Sequence, residues 1–111
     1  MNICPAGSGL FEKTVTVYRR QDGKIFRQVL EDCYLTCQEH LHREVSGCRR
    51  ERKFLLIVPG NRQILPGDRI FDGIGPEVTA EQWTGFIPVK VDGLMEVGYV
   101  KNYPGHTEAG R

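Results

Sequence analysis

Closely spaced tight-turn signals constrain the fold of this chain more than any other feature. The clearest lies in residues 64–75, ILPGDRIFDGIG. Pro66 fixes φ at the value needed in the second position of a tight turn, and Gly67 can take the positive φ that follows. Asp68 can bond its carboxylate to backbone N–H groups just beyond it. The segment predicts a chain reversal in a hairpin between short strands. It does not predict a phosphate loop, because no GxxxxGK[ST] follows.

Similar turn signals divide the rest of the chain into short segments. Residues 11–21 alternate in hydrophobicity and precede Asp22-Gly23, the strongest short hairpin signal. Residues 53–58 form an apolar run that ends at Pro59-Gly60, as expected of a buried strand.

The C-terminal third repeats this pattern. Residues 86–91 alternate and end at Asp92-Gly93, which predicts another hairpin. Residues 94–103 alternate again, and Pro104-Gly105 turns the chain into a short tail. One helical turn fits around residues 80–82. Five or six short strands are therefore expected, in an all-β barrel or sandwich with at most one short helix.

The segment 25–48 fits two structures. Its apolar residues follow a spacing of three and four, which favours an amphipathic helix that stops at Ser46-Gly47. The competing structure is a strand from Ile25 to about Leu35, followed by a long polar loop over 38–52. The hairpin signal directly upstream favours the strand, because a β-hairpin needs a second arm.

Length and composition indicate one domain over residues 1–111. Residues 1–9 contain three Gly or Pro residues and are predicted to be a mobile N-terminal arm. The formal charge of +1 gives no general reason to expect a nucleic-acid or membrane partner. There is no secretion signal and no apolar run of membrane-spanning length, so a cytoplasmic protein with reduced thiols is expected.

A zinc site is the first functional site to consider, because five candidate ligands fall within sixteen residues. The set Cys33, Cys37, His40 and Cys48 only approximates the paired C-x2-4-C spacing of structural zinc sites. Buried thiols with solvated loop histidines explain the same residues. The prediction is therefore no metal and no cofactor, with a zinc module kept as an alternative.

Catalytic signatures are missing from the sequence. No paired-carboxylate motif, nucleophile elbow or HExxH occurs, and no cysteine-enzyme signature surrounds the thiols. A non-enzymatic protein is expected.

A basic cluster and a lone tryptophan are the candidate interface residues. Arg49, Arg50 and Arg52 lie in a stretch with no aromatic residue between Tyr34 and Phe54, so a solvated loop is favoured over a specific nucleic-acid site. A nucleic-acid-binding module stays as an alternative. Trp83 lies in a polar connection, where it can cap a barrel end or anchor a partner.

The order of several short segments resembles a family of small tailed-phage and prophage proteins. The segments are VTVY (15–18), RQVLEDCY (27–34), FLLIVP (54–59), PGDRIFDGIGPE (66–77) and HTEAG (106–110). Together they span nearly the whole chain. Members of this family are described as minor capsid or head–tail connector proteins.

The resemblance implies a fold, a function and a set of partners. It implies that residues 25–35 are the second hairpin strand, that 38–52 is a variable loop, and that the fold is a small connector-type β-barrel. It further implies a virion-assembly protein that forms a homo-oligomeric ring at the head–tail junction, as a head completion or stopper-like subunit. The expected partners are portal, adaptor or tail-side subunits, with no membrane partner, in the host cytoplasm during assembly and then in the virion.

Overall fold

Seven β-strands make up almost all of the regular structure. A computed structural model of the chain describes residues 11–44 and 47–111, with side chains described outside 39–52. The strands are β1 Lys13–Gln21, β2 Lys24–Glu44, β3 Gly47–Pro59, β4 Arg69–Asp72, β5 Leu94–Glu96, β6 Tyr99–Tyr103 and β7 His106–Gly110. They form one antiparallel sheet in the order β5-β4-β1-β2-β3-β7-β6. The predicted all-β class is confirmed, with more strands than the five or six expected. The predicted N-terminal arm, residues 1–9, lies outside the described residues.

The Asp22-Gly23 hairpin forms as predicted. Both residues have positive φ, 54° and 75°, as a type I′ turn requires, and Gln21 pairs with Lys24. The strand interpretation of residues 25–35 is therefore correct and the helix is wrong.

A β-bulge interrupts the two-residue period of β2. Val15 pairs with Leu30 but Lys13 pairs with Cys33, so two residues of β2 stand opposite one of β1. Asp32, inside the bulge, has a φ of 57°. The extra residue shifts the inward-facing positions from even to odd numbers, so buried Leu30 and Cys33 stand three residues apart.

The bulge also marks the point where β2 changes partner. Before it β2 pairs with β1, and from Tyr34 onward it pairs with β3. The sheet curls into a half-barrel whose two edge strands, β5 and β6, are separated along the chain by only Val97 and Gly98. Val97 N–H donates to the Asp68 carbonyl and Gly98 N–H to the Gly110 carbonyl, both at 2.8 Å. These two residues therefore join the opposite edges of the sheet.

Two hydrophobic clusters cover the two faces of the sheet around β1. The inner cluster fills the concave side and includes Val15, Val17, Leu56, Ile70 and Met95. The outer cluster contains Tyr18, Phe86 and Leu94, with Trp83 packed against it. The connection between β4 and β5 supplies this outer cover, and it contains a short 3₁₀ helix, Trp83–Gly85. Residues 15–18 are consequently all buried.

The segment predicted as a polar loop, 38–52, is instead a two-stranded ribbon. Seven residue pairs, from Gln38 opposite Lys53 to Glu44 opposite Gly47, continue the pairing of β2 with β3. We call residues 38–44 and 47–53 the hairpin arm, and the rest of the described chain the sheet body. Polar composition suggested a loop, but the antiparallel register of β2 with β3 continues through it.

Other strand predictions fail locally. Residues 86–91 form turns rather than a strand, so Asp92-Gly93 is not a hairpin. Residues 64–65 precede a turn but are not in a strand, and the predicted tail 106–110 is strand β7, paired on both sides. Within the described residues, no helix has the length and apolar character to cross a membrane.

Candidate functional site

The turn at Pro66-Gly67 builds one rim of the sheet body. Gly67 has a φ of 92°, and Asp68 N–H donates to the Leu65 carbonyl at 3.0 Å, which closes a type II turn. The Asp68 carboxylate accepts from Leu65 N–H at 2.9 Å. The turn is confirmed, but the carboxylate bonds to an N–H before it and not to those beyond it.

Asp68 is also the anchor for Arg19 on the neighbouring strand. Arg19 donates from Nε to Oδ1 at 2.8 Å and from Nη2 to Oδ2 at 2.7 Å, a bidentate pair. This bond to the carboxylate raises the pKa of the Arg19 guanidinium, and burial opposes it. Asp68 is buried, so this pair fixes one end of β1 to the turn.

Arg69 is held over Trp83 on the outer face of the sheet. Its Cζ lies 3.8 Å from the centre of the Trp83 ring. Nη1 donates to the carbonyls of Trp83 at 2.7 Å and Phe86 at 2.6 Å. Burial lowers the pKa of this guanidinium, and attraction to Glu96 only partly opposes that shift. The arginine is therefore a rigid and partly desolvated cation.

These groups border a groove of about 440 Å³, which we call the basic groove. Its lining includes Arg19, Arg20, Leu65, Asp68, Arg69 and Trp83. Three arginines and one aspartate give the lining a formal charge of +2. The sequence left open whether Trp83 caps the barrel or anchors a partner. The half-buried ring covers the outer cluster and also borders this groove.

The predicted zinc ligands are spread along the extended ribbon. Cys33 is buried and Cys37 is exposed, and four residues of strand separate them by about 13 Å. Phe54 pairs with Cys37. Cys48 lies on the same strand as Phe54 but six residues away, about 20 Å farther along the ribbon. Zinc–sulfur bonds are about 2.3 Å long, so these cysteines do not converge on one ion. Among the described residues, no group of three potential ligands could hold a metal.

The thiol of Cys33 lies in an apolar setting. Burial raises its pKa to about 11, and the neighbouring Asp32 carboxylate adds to the shift. The sulfur lies 3.6 Å from the Leu30 carbonyl and 3.5 Å from that of Glu31, so the thiol can donate to the bulge. It is a structural core residue.

The predicted interface residues divide between two regions. Arg49, Arg50 and Arg52 lie on β3 in the hairpin arm, where they pair with His42, Leu41 and Glu39. Trp83 lies in the sheet body, in the cover of the outer cluster.

Sequence reasoning missed the basic groove. The adjacent Arg19-Arg20 at the end of a predicted strand was a visible signal. The link between Arg69 and Trp83 was not visible, because it depends on a connection with no regular periodicity.

Comparison with protein-family models finds no match for this chain. Neither the curated proteins nor the solved structures contain a significant match.

Proposed function

We propose that this protein is a structural virion-assembly subunit of a tailed phage or prophage, which forms a ring at the head–tail junction. The resemblance of its ordered sequence segments to small minor capsid and connector proteins supports the phage assignment. The hairpin arm supports the role in assembly. In this proposal the chain is not an enzyme, and its partners are further copies of itself and portal, adaptor or tail-side proteins.

The arm is the observation that carries the proposal. Its seven residue pairs extend about 20 Å, and its strands pair only with each other among the described strands. The radius of gyration is 15.0 Å, whereas a compact domain of this length has about 13 Å. The longest dimension is 49 Å against a shortest of 23 Å. The arm therefore projects from the body.

A projecting two-stranded ribbon needs a partner. An isolated hairpin is only marginally stable in water, and no other described strand pairs with either outer edge of the arm. A neighbouring subunit that pairs with an edge or covers a face would supply the missing contacts. Ring closure would then combine several weak contacts into a stable assembly.

The sheet body can hold the hairpin arm in a fixed position. The strands that form the arm are the same ones that cross the inner cluster, where Leu30, Leu56 and Val58 are buried. Any force on the arm would therefore be transmitted directly into the core of the body.

The test is a variant that lacks the arm but keeps the body. Residues 39–52 are replaced by Asn-Gly, which suits a two-residue turn between the paired residues Gln38 and Lys53. Light scattering after size exclusion, over a concentration series, measures self-association. Electron microscopy with portal or tail-side protein measures incorporation.

We expect the natural chain to form rings, alone or with its partner, and the shortened variant to remain monomeric with unchanged circular dichroism of the body. Assembly of the shortened variant at the natural level would contradict the proposal. A strict requirement for zinc or a small molecule in folding would contradict it as well.

A further inference from the structure

The basic groove contains a cation, Arg69, that has no salt-bridge partner among the described side chains. Arg69 loses hydration by burial, and Nη1 is committed to two carbonyls. Its cross-strand neighbour Glu96 forms a salt bridge with Arg111 at 3.5 Å instead. Among the described side chains no carboxylate forms a salt bridge with Arg69. A partly buried charge is normally paired, so the groove is suited to an incoming anion.

Arg20 strengthens this argument. It is exposed at the mouth of the groove and, within the described part of the chain, has no salt bridge. Arg19 keeps its pair with Asp68, so two of the three arginines have no salt-bridge partner among the described side chains. The guanidinium fork binds a carboxylate with two parallel hydrogen bonds.

A second groove, which we call the acidic groove, lies next to the first along the same connection. Its volume is about 550 Å³, and its lining includes Glu77, Val78, Glu81 and Phe86. The two glutamates give it a formal charge of −2, and it contains no basic residue. Both glutamates are exposed. The two grooves share no lining residue, and they flank the 3₁₀ helix that begins at Trp83.

We propose that the basic groove of one copy binds the Glu77–Glu81 segment of the next copy. The proposal rests on the proposed ring-forming function and specifies one of its contacts. The charges match, +2 against −2, and Val78 lies between the glutamates as Leu65 and Trp83 lie among the arginines. Because two different patches meet, repetition of the contact in one direction is heterologous and produces a ring or a filament, whereas reciprocal use of both patches would close a two-fold dimer.

The lining favours a protein carboxylate over a nucleic-acid strand. Nucleic-acid sites present a track of cations along a backbone, whereas here the cations surround a short groove that also contains Asp68. Apolar Leu65 and Pro66 in the lining suit a carboxylate with an apolar neighbour. An overall charge of +1 provides no general attraction for a polyanion.

Charge exchange between copies tests this contact. Arg20→Glu and Glu81→Arg each place like charges across the proposed interface, so each alone should weaken self-association at least about tenfold. In an equimolar mixture, copies of the two variants can alternate. One contact then joins the natural Arg20 to the natural Glu81, and the next joins the two substituted side chains, whose charges are again opposite. We therefore expect the mixture to associate within about threefold of the natural chain. Sedimentation velocity at low and high salt supplies the measurement.

Arg62→Glu is the matched control, because it makes the same charge change at an exposed position outside both grooves. We expect it to leave association unchanged. Weakening by the control to the same degree would overturn the proposal, as would failure of the mixture to recover. If the arm-shortened variant loses association but both charge variants keep it, the ring function stands and this contact is wrong. A natural chain that stays monomeric at every concentration and salt, and also with portal or tail-side protein present, would overturn both.

A short single-stranded DNA is titrated alongside. Binding that is lost in Arg20→Glu and unaffected by Glu81→Arg, with self-association unchanged in both, would assign the groove to nucleic acid and overturn the proposal.

Discussion

The sheet body and the hairpin arm are built from the same two strands, yet different interactions hold them. In the body, β3 buries every second residue from Phe54 to Val58 in the inner cluster, and β2 adds buried Leu30 and Cys33. In residues 38–53, eight of sixteen residues are charged, and no other described strand pairs with them. Strand register therefore continues into a segment that pairs with no other described strand. The comparison teaches that local pairing and stability are separate properties, and the second depends on what covers the strand.

The most direct test of this difference in stability is to replace one leucine in each region by alanine. Leu56 is fully buried in the body, whereas Leu41 stands opposite Arg50 in the arm. We expect Leu56→Ala to lower the free energy of unfolding by about 3 kcal/mol, from lost burial and a residual cavity. Leu41→Ala should cost less than about 0.5 kcal/mol in the monomer. Urea unfolding measures both, and equal costs would show that the arm belongs to the core.

Close packing in the body can be tested at a glycine. A Cβ at Gly75 would overlap the Tyr18 hydroxyl and lie 3.1 Å from Cγ of Phe71. The Tyr18 hydroxyl donates to the Pro76 carbonyl at 2.7 Å, so Gly75→Ala also displaces that bond. We expect a loss of about 2 kcal/mol by thermal unfolding.

Gly85→Ala is the control for this substitution, since a Cβ there meets no atom within 4 Å. It should change stability by less than about 0.5 kcal/mol. A similar loss from both variants would show that the contact around Tyr18 is not the cause.

Alkaline pH should lower the stability of the sheet body, because its buried Cys33 thiol and Tyr18 hydroxyl can lose their protons. The Cys33 thiol has a pKa of about 11 in the folded chain against 9.0 for an ordinary thiol, mainly because of burial. The unfolded chain therefore releases this proton first. The stabilising contribution is complete below pH 9.0 and is lost as pH rises through about 11. Burial raises the pKa of Tyr18 in the same direction.

Urea unfolding between neutral pH and pH 10.5 measures this effect. We expect the free energy of unfolding to fall above pH 9, with a shallower fall in Cys33→Ala. An identical slope in that variant would assign the pH dependence elsewhere.

Two cysteines of the sheet body distinguish a buried position from an exposed one by reactivity, without any change in stability. In a Cys4→Ser/Cys48→Ser background only buried Cys33 and exposed Cys37 remain. At pH 8 about one in a thousand Cys33 side chains is a thiolate, and burial blocks access to it. We expect iodoacetamide to label Cys37 in the native protein and Cys33 only in urea. Labelling of both at similar native rates would contradict the buried position of Cys33.

Much of the fold could be predicted from turn chemistry. Asp22-Gly23 and Pro66-Gly67 both form the expected turns, because these residue pairs specify φ locally. The bulge at Asp32 could not be predicted, since it depends on pairing with β1. It puts a three-residue step between buried Leu30 and Cys33, which interrupts the period of two expected of a strand.

The candidate site was less predictable than the fold. Trp83 was correctly singled out as a residue of interest, but its contact with Arg69 joins residues fourteen apart through an irregular connection. No periodicity encodes such a contact. The arm was mistaken for a loop because polar composition usually indicates one, and the register of 38–44 with 47–53 leaves no apolar signature.

Amide hydrogen exchange tests the central claim most directly, because it compares the body and the arm in one sample. In the isolated monomer we expect amides of residues 15–18 and 54–58 to exchange only through global unfolding. Amides of 38–44 and 47–53 should exchange orders of magnitude faster, and should become protected in an assembled ring or with the portal or tail-side partner. Arm amides as protected as the body in the monomer, with no change on assembly, would contradict the account.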